Sequence, residues 1–178
     1  LLTIGALCSE VKIDTVNGNG DQELVGSPTE NALVELALEQ AMDVKSIRKS
    51  HQLIEVNLRS EKSRIMSTLH ALPDGGMLQA VKGSPVEVLE RCAHLFKDGE
   101  VIELNHAERQ AILDENDRMA GRALRVLGAA TRTVGSRAGA QKSNGYVWIG
   151  LIGMADPLRP GVEAVIAAFH RAGIETVM

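Results

Sequence analysis

A lysine followed by a glycine stands where an apolar run gives way to a helical pattern. The run Met77–Val81 leads into Lys82 and Gly83, and a capping box of Ser84 and Glu87 opens the helix that follows. The cation, the accessible glycine backbone and the positive end of a helix would together suit an anionic ligand. Because strand–turn–helix junctions with one lysine are common, this stretch alone indicates only a candidate anion site.

Three further polar groups could serve the same site, although each has an ordinary structural explanation. Glu30 completes a capping box with the serine three positions before it. Lys62 and Arg64 lie in a charged connection between two predicted strands. Arg125 would point to the solvent face of another predicted strand by alternation. Only their combination with the lysine–glycine pair favours a binding site.

The sequence carries no motif for most other chemistries. It contains no Walker A sequence, no dinucleotide GxGxxG and no HExxH. The five histidines have no metal-ligand spacing, and no Ser/His/Asp order can be defended. Cys8 and Cys92 are far apart, which argues against a disulfide framework or a zinc site and favours a reducing compartment. We therefore predict neither a catalytic residue nor a metal ligand in this chain.

Composition places the chain among globular proteins. The 178 residues are 44% hydrophobic and 24% charged, enough for one sizeable core or for one core and part of a second. A net charge of -4 and an aromatic content of 2% argue against nucleic acid as a partner. No apolar run approaches the roughly 20 residues of a membrane helix. Because the chain starts at Leu1 and stops inside an apolar run at Met178, we expect it to be a piece of a longer protein.

The periodicity predicts an α+β domain, in which an antiparallel twisted β-sheet is flanked by helices, over residues 1–145. A strand, loop, helix and strand over residues 146–178 then predict half of a parallel βαβ unit and a second domain. A turn at Asn17–Gly20 should join two short strands, and residues 132–145 should form a flexible connection. Helices are predicted at 27–41, 44–49, 86–92, 105–119 and 162–171, and strands at 53–58, 65–72, 77–82, 124–131, 146–154 and 174–178.

Several motifs, in this order along the chain, resemble the nucleotide-binding domain of P-type ATPases, the ion pumps that are phosphorylated on an aspartate. Residues 26–33 are similar to the family's G-[DE]-P-T-E-x-A-L, and residues 82–86 to its K-G-A-P-E, with Ser84 and Val86 as departures. Residues 123–127 match A-L-R-V-L, residues 156–160 are similar to D-P-P-R, and residues 172–174 to A-G-I. The resemblance covers nearly the whole chain and implies that residues 146–178 begin a HAD-like phosphorylation domain.

The resemblance also implies a role for each matching residue. Glu30 would hydrogen-bond the adenine amino group. Lys82 would lie at the adenine pocket, where Gly83 would let the ring approach the backbone. Arg125 would reach the phosphates of ATP. The remaining matches, Asp156 and Arg159, would be hinge and phosphorylation-domain residues.

Two departures from the family pattern affect the predicted pocket. The family's F-x-S-x-x-K corresponds here to a segment that begins with Leu58, which can cover the base but offers no aromatic face. The lysine of that motif falls on Ser63 when aligned from the left and nearer Arg64 when aligned from Met66. The second cation at the nucleotide is therefore either Lys62 or Arg64.

By the same resemblance, the phosphorylated aspartate, the main Mg²⁺ ligands, the transmembrane helices and the ion site would lie outside this chain. The chain would be a cytoplasmic domain of an integral membrane protein, with ATP, Mg²⁺ and the phosphorylation and actuator domains of the same protein as partners. It would bind nucleotide without useful hydrolysis. The K-G-S-P motif points away from the heavy-metal pumps towards other cation pumps, and the ion is not specified.

Two alternative functions compete with this prediction. The first is a pump-derived regulatory or interaction domain with a degenerate nucleotide pocket, which the Leu58 and Ser63 departures favour. The second is a soluble phosphatase related to the phosphorylation domain. It is poorly supported, because the sequence contains no nucleophilic D-x-D.

Overall fold

The computed structural model describes residues 1–16, 21–61, 63–140, 144–156 and 161–177. The predicted turn at Asn17–Gly20, Lys62 and Arg159 lie outside these residues. The helices of the described residues are α1 (Leu2–Leu7), α2 (Pro28–Glu39), α3 (Val44–Ser50), α4 (Pro85–Glu90), α5 (His106–Ala120), α6 (Arg137–Ala140) and α7 (Val162–Arg171). The strands are β1 (Lys12–Val16), β2 (Asp21–Val25), β3 (Gln52–Asn57), β4 (Ile65–Ala71), β5 (Met77–Gly83), β6 (Cys92–Lys97), β7 (Glu100–Glu103), β8 (Arg125–Val134) and β9 (Tyr146–Met154).

A seven-stranded sheet in the order β3-β4-β5-β8-β9-β6-β7 forms the centre of the fold. Every pair of neighbouring strands is antiparallel except β6 and β9, which are parallel. A separate antiparallel pair, β1 and β2, precedes the sheet in the chain. The prediction of an α+β fold with a large sheet and helices is confirmed.

The strand β9 belongs to this sheet, although the sequence assigned it to a second domain over residues 146–178. It pairs with β8 on one side and with β6 on the other, and its Tyr146 and Trp148 are buried. A domain boundary at residue 146 would therefore remove an interior strand from the sheet. Ile174 to Val177, predicted as part of a final strand, form none. The assignment of the residues after β9 to a second domain stays a prediction.

Two strands in the middle of the chain are absent from the sequence predictions. β6 and β7 form a hairpin, and the Asp98-Gly99 dipeptide joins them with positive φ angles of 52° and 90°. An Asp-Gly pair between apolar residues is a strong hairpin signal. The predicted connection at 132–145 is also shorter, because β8 continues to Val134 and one helical turn, α6, follows.

Helices cover both faces of the sheet and fix the position of α2. On one face, Ile4 and Cys8 of the α1 region pack against Met66, Ala80 and Ala129. On the other face, the buried side chains of α4 pack against Val81, Ala130 and Trp148. A third apolar cluster joins α1, α2 and α3. Because α2 rests on α1 and α1 rests on the sheet, the first turn of α2 is held beside the end of β5.

Arg48 of α3 fastens this helical layer. Its guanidinium donates from Nε to the Ala6 carbonyl at 3.0 Å and from Nη1 to the Val11 carbonyl at 2.6 Å. Carbonyls at the end of a helix lack intrahelical partners, so an arginine is a natural donor for them. Among the described residues, no helix combines the length and the hydropathy needed to cross a bilayer.

Candidate functional site

A cavity of about 280 Å³ lies where the first turn of α2 meets the end of β5. It collects five of the residues singled out from the sequence, although they come from three separate parts of the chain. The side chains of β4 and of the segment before it complete the wall. The lining residues are Glu10, Ser27, Thr29, Glu30, Leu58, Arg59, Arg64, Met66, Lys82, Gly83 and Leu127.

The ion pair between Lys82 and Glu30 lies in this cavity. Lys82 Nζ is 2.6 Å from Glu30 Oε1, and the lysine side chain is only 4% exposed. The contact is an electrostatic pair, since the separation is short but no well-directed hydrogen bond forms. A buried ammonium group is expensive unless an anion accompanies it. Glu30 is thus the counterion that lets a lysine occupy this end of β5.

Glu30 forms only one of the two hydrogen bonds of the predicted capping box. Its backbone N–H donates to Ser27 Oγ at 3.4 Å, as a capping box requires. Its carboxylate pairs with Lys82 instead of returning to the N-cap residue. The second carboxylate oxygen, Oε2, is buried and has no hydrogen-bond partner among the described residues. An ionised carboxylate only accepts, so this atom is available to a donor that enters the cavity.

Gly83 is required by the close approach of two strands. Its φ is +156°, and a Cβ at this position would lie 2.3 Å from the Arg64 carbonyl oxygen and 2.6 Å from the Ile65 Cα. Neither neighbour is a flexible side chain that could move aside. The backbone of β4 therefore explains this glycine without any ligand. Its predicted contact with a bound base stays a prediction.

Leu58 follows β3 and reaches into the same cavity. Leu58 is 55% exposed. It also lines a larger cavity of about 470 Å³ on the opposite face of the sheet. That larger cavity contacts Ser63, but neither Glu30 nor any predicted cation that the structure describes lines it. We regard the smaller cavity as the candidate site, since it unites the predicted residues.

Two further predicted residues, Arg125 and Asp156, lie within the described part of the chain. Arg125 is exposed, as alternation predicts, and its Nη1 donates to Thr29 Oγ1 at 3.0 Å. Thr29 lines the cavity, so Arg125 stands at its rim. Asp156 is exposed beyond the end of β9 and does not line the cavity. Lys62 and Arg159 lie outside the described residues.

Cys8 is close enough to Lys82 and Glu30 for both charges to affect the pKa of its thiol. Its thiol is fully buried and contacts the Met66 carbonyl at 3.5 Å. Burial raises the pKa of Cys8 to about 11, against a smaller opposing effect of Lys82. The thiol is therefore neutral at physiological pH. It adds no second negative charge to compete with Glu30 for the lysine.

Sequence reasoning missed several residues of the cavity wall. Thr29 could have been found, since it directly precedes Glu30 on the first turn of the same helix. Met66 is the registered partner of Lys82 across the β4–β5 ladder, so it shares a face with that lysine. Pairing of this kind appears only once the strand register is known. Within the described ranges, no group of three or more His, Cys, Asp or Glu residues could hold a metal ion.

Comparison with known proteins identifies one family. A model of the family described as P-type ATPase, cytoplasmic domain N, matches residues 1–161. The plasma membrane-type calcium-transporting ATPase 2 of Arabidopsis thaliana is 33% identical over 92% of this chain and 17% of its own length. Calcium-transporting ATPase 1 of Bacillus cereus is 31% identical over 100% of this chain and 20% of its own length. Cation-transporting ATPase pma1 of Synechocystis is 33% identical over 99% of this chain and 19% of its own length. The chain thus spans about a fifth or less of the length of these relatives.

Proposed function

Because the chain belongs to the P-type ATPase family, as its cytoplasmic domain N, we propose that the cavity around Glu30 and Lys82 binds ATP. One observation carries the proposal. Glu30, Leu58, Arg64, Lys82 and Gly83 were singled out from separate motifs, and all five line one cavity. A concave site with apolar walls and a few convergent polar groups is the usual form of a small-molecule site.

The adenine ring would occupy the part of the cavity beside Glu30. The unpartnered Oε2 of Glu30 would accept a hydrogen bond from the exocyclic amino group of the base. Leu58 and Met66 supply apolar surface for the faces of the ring. Glu30 neutralises Lys82. The role of Lys82 would therefore be to hold the Glu30 carboxylate in place and to keep a polar group at the base of the cavity.

The phosphates would extend towards the arginines at the cavity wall and rim. Arg59 and Arg64 line the cavity, and Arg125 reaches its rim through Thr29. Guanidinium groups suit phosphate oxygens because they donate several hydrogen bonds in one plane. Magnesium would arrive with the nucleotide phosphates, and its protein ligands would come mainly from outside this chain.

In the whole protein, this domain would present Mg-ATP for phosphoryl transfer to an aspartate carried elsewhere. The phosphorylation and actuator domains of the same protein would be its partners, and its function would be cation transport across a membrane. The chain alone would bind ATP without hydrolysing it. We also propose that the nucleotide-binding domain extends through β9, because that strand lies inside the sheet, and that residues 161–177 begin the next domain.

Calorimetric titration of this chain with ATP and with GTP tests the proposed site. Glu30 would accept from the 6-amino group of adenine, whereas guanine presents a carbonyl at that position. We therefore expect ATP to bind about tenfold more tightly than GTP. Glu30→Gln should narrow this preference, because an amide can donate to the carbonyl of guanine. Glu10→Gln, at another acidic residue of the same cavity, is the matched control.

Two results would count against the proposal. Equal affinity for ATP and GTP in the unmodified chain would show that Glu30 does not recognise the base. Absence of binding at millimolar ATP in a folded sample would favour the alternative, a regulatory domain with a degenerate pocket. The observation behind that alternative is Leu58, an aliphatic and half-exposed residue where the family pattern has an aromatic one.

A further inference from the structure

The connection before β4 is held against the start of α4 by three hydrogen bonds that converge on Arg64. Glu87 Oε1 accepts from Arg64 Nε and Glu87 Oε2 accepts from the Arg64 backbone N–H, both at 3.0 Å. The Ser84 backbone N–H donates to the Arg64 carbonyl at 3.0 Å. The side chain and both backbone polar groups of one arginine are therefore tied to one short helix.

This arrangement replaces the capping box predicted from the sequence. Ser84 is the N-cap residue of α4, but its side chain makes no capping hydrogen bond. The carboxylate of Glu87 turns away from the helix backbone towards Arg64. The close passage of Arg64 past Gly83, where any Cβ would collide with the Arg64 carbonyl, makes the contact possible. Glu87 thus binds Arg64, which is distant in the chain, and does not cap its own helix.

Stability does not explain the contact. The Arg64 side chain is 80% exposed, and an ion pair so open to water contributes little to folding. The contact instead fixes the direction in which the Arg64 guanidinium points. One edge of the guanidinium is bound through Nε, while Nη1 and Nη2 make no hydrogen bond to a described residue. These two donors belong to a residue that lines the candidate nucleotide cavity.

The other cations of the cavity differ from Arg64 in this respect. The ammonium group of Lys82 is buried against Glu30, and Arg125 uses one donor on Thr29. Arg59 lines the cavity but makes no hydrogen bond or ion pair to a described residue, so nothing holds its direction. Among the described cations that line the cavity, only Arg64 has a guanidinium that is anchored to the protein and still keeps uncommitted donors.

We propose that Glu87 is a positioning residue, which orients Arg64 so that its two terminal nitrogens receive the polyphosphate of the bound nucleotide. The proposal rests on the proposed ATP site and selects Arg64 between the two cations, Lys62 and Arg64, that the sequence left open. A pre-oriented arginine loses less rotational freedom on binding than a free one, so it gives more affinity for the same hydrogen bonds.

Titration of this chain and its variants with ATP and with adenosine tests the proposal. Arg64→Gln should weaken ATP binding roughly five- to tenfold, as loss of a charge-assisted contact predicts, and leave adenosine binding unchanged. Glu87→Ala should weaken ATP binding about threefold, because the arginine regains its freedom. In the Arg64→Gln background, Glu87→Ala should cause no further loss. Arg59→Gln is the matched control and should weaken ATP binding less than Arg64→Gln does.

Several outcomes would overturn the positioning role. If Glu87→Ala strengthens ATP binding, Glu87 competes with phosphate for the arginine. If adenosine binding weakens as much as ATP binding does, the contact between Glu87 and Arg64 only shapes the pocket. Thermal unfolding of each variant identifies any loss of fold. If Glu87→Ala unfolds, Glu87→Gln replaces it and should also weaken ATP binding, because one amide oxygen cannot accept from both Arg64 Nε and the Arg64 backbone N–H. If the unmodified chain binds ATP well but both Glu87 variants match it, this inference fails while the proposed function stands. If the unmodified chain binds neither ligand, the proposed function fails first.

Discussion

Single side chains hold the cavity together, and the ion pair between Lys82 and Glu30 matters most for its stability. We expect Glu30→Ala to lower the free energy of unfolding by about 3–5 kcal/mol, because it leaves a buried ammonium group without its counterion. The matched control is Glu55→Ala, which breaks an exposed ion pair with Arg137 and should cost much less than Glu30→Ala does. Urea unfolding measures both. Equal losses would mean that Lys82 finds water or another acceptor when Glu30 is gone.

Leu58 offers a gain of function at the same scale. Replacing it by phenylalanine should tighten ATP binding by about 0.5–1.5 kcal/mol, the typical gain from stacking on an aromatic ring. Leu53→Phe is the control, because Leu53 is similarly exposed but does not line the cavity. Calorimetry with ATP distinguishes the two variants. Unchanged or weaker binding in Leu58→Phe would show that this side chain does not cover the base.

At the scale of elements, the site depends on how closely β4 passes the end of β5. Gly83→Ala should destabilise the chain by about 2–4 kcal/mol, because its Cβ would lie 2.3 Å from a backbone oxygen. Gly135→Ala is the matched control, since a Cβ there meets no atom within 4 Å. The midpoint of urea unfolding reports both effects. A small change in Gly83→Ala would mean that β4 can shift, and the fixed position of Arg64 would then be in doubt.

Local signals predicted most elements because those elements form by local rules. Ser27 was expected in a capping box, and a helix was predicted to begin at Asn105. Both are N-cap residues, and the side chain of each accepts from the backbone N–H three positions later. Glu87 satisfies the same local rule but binds Arg64, 23 residues away in the chain. A long-range partner of this kind is invisible to a rule that reads only nearby residues. The β6–β7 hairpin did carry a local signal, Asp98-Gly99, which was overlooked.

The site was predictable through its resemblance to a family and only weakly through residue spacing. Glu30, Lys82 and Arg125 each had a simpler local explanation, and the order of the motifs brought them together. The strand register, which pairs Met66 with Lys82, and the contact of Arg125 with Thr29 could not be predicted, because they depend on packing between distant segments.

At the scale of the whole molecule, the position of β9 decides where the domain ends. We expect a chain that stops at residue 156 to keep its fold and its ATP affinity, because the sheet is then complete. A chain that stops at residue 145 loses an interior strand and the buried Trp148, so it should show no cooperative thermal transition. Circular dichroism and thermal melting compare them. A stable fold in the shorter chain would support the boundary predicted at residue 146.

The most direct test of the account is a titration of the isotope-labelled chain with ATP, followed by backbone amide NMR. We expect saturable shifts at the cavity residues and little change in the distant β6–β7 hairpin. The cavity residues are Glu30, Leu58, Arg64, Lys82 and Gly83. Saturable shifts confined to the larger cavity on the opposite face of the sheet would contradict it. So would a folded sample whose spectrum does not change at millimolar ATP.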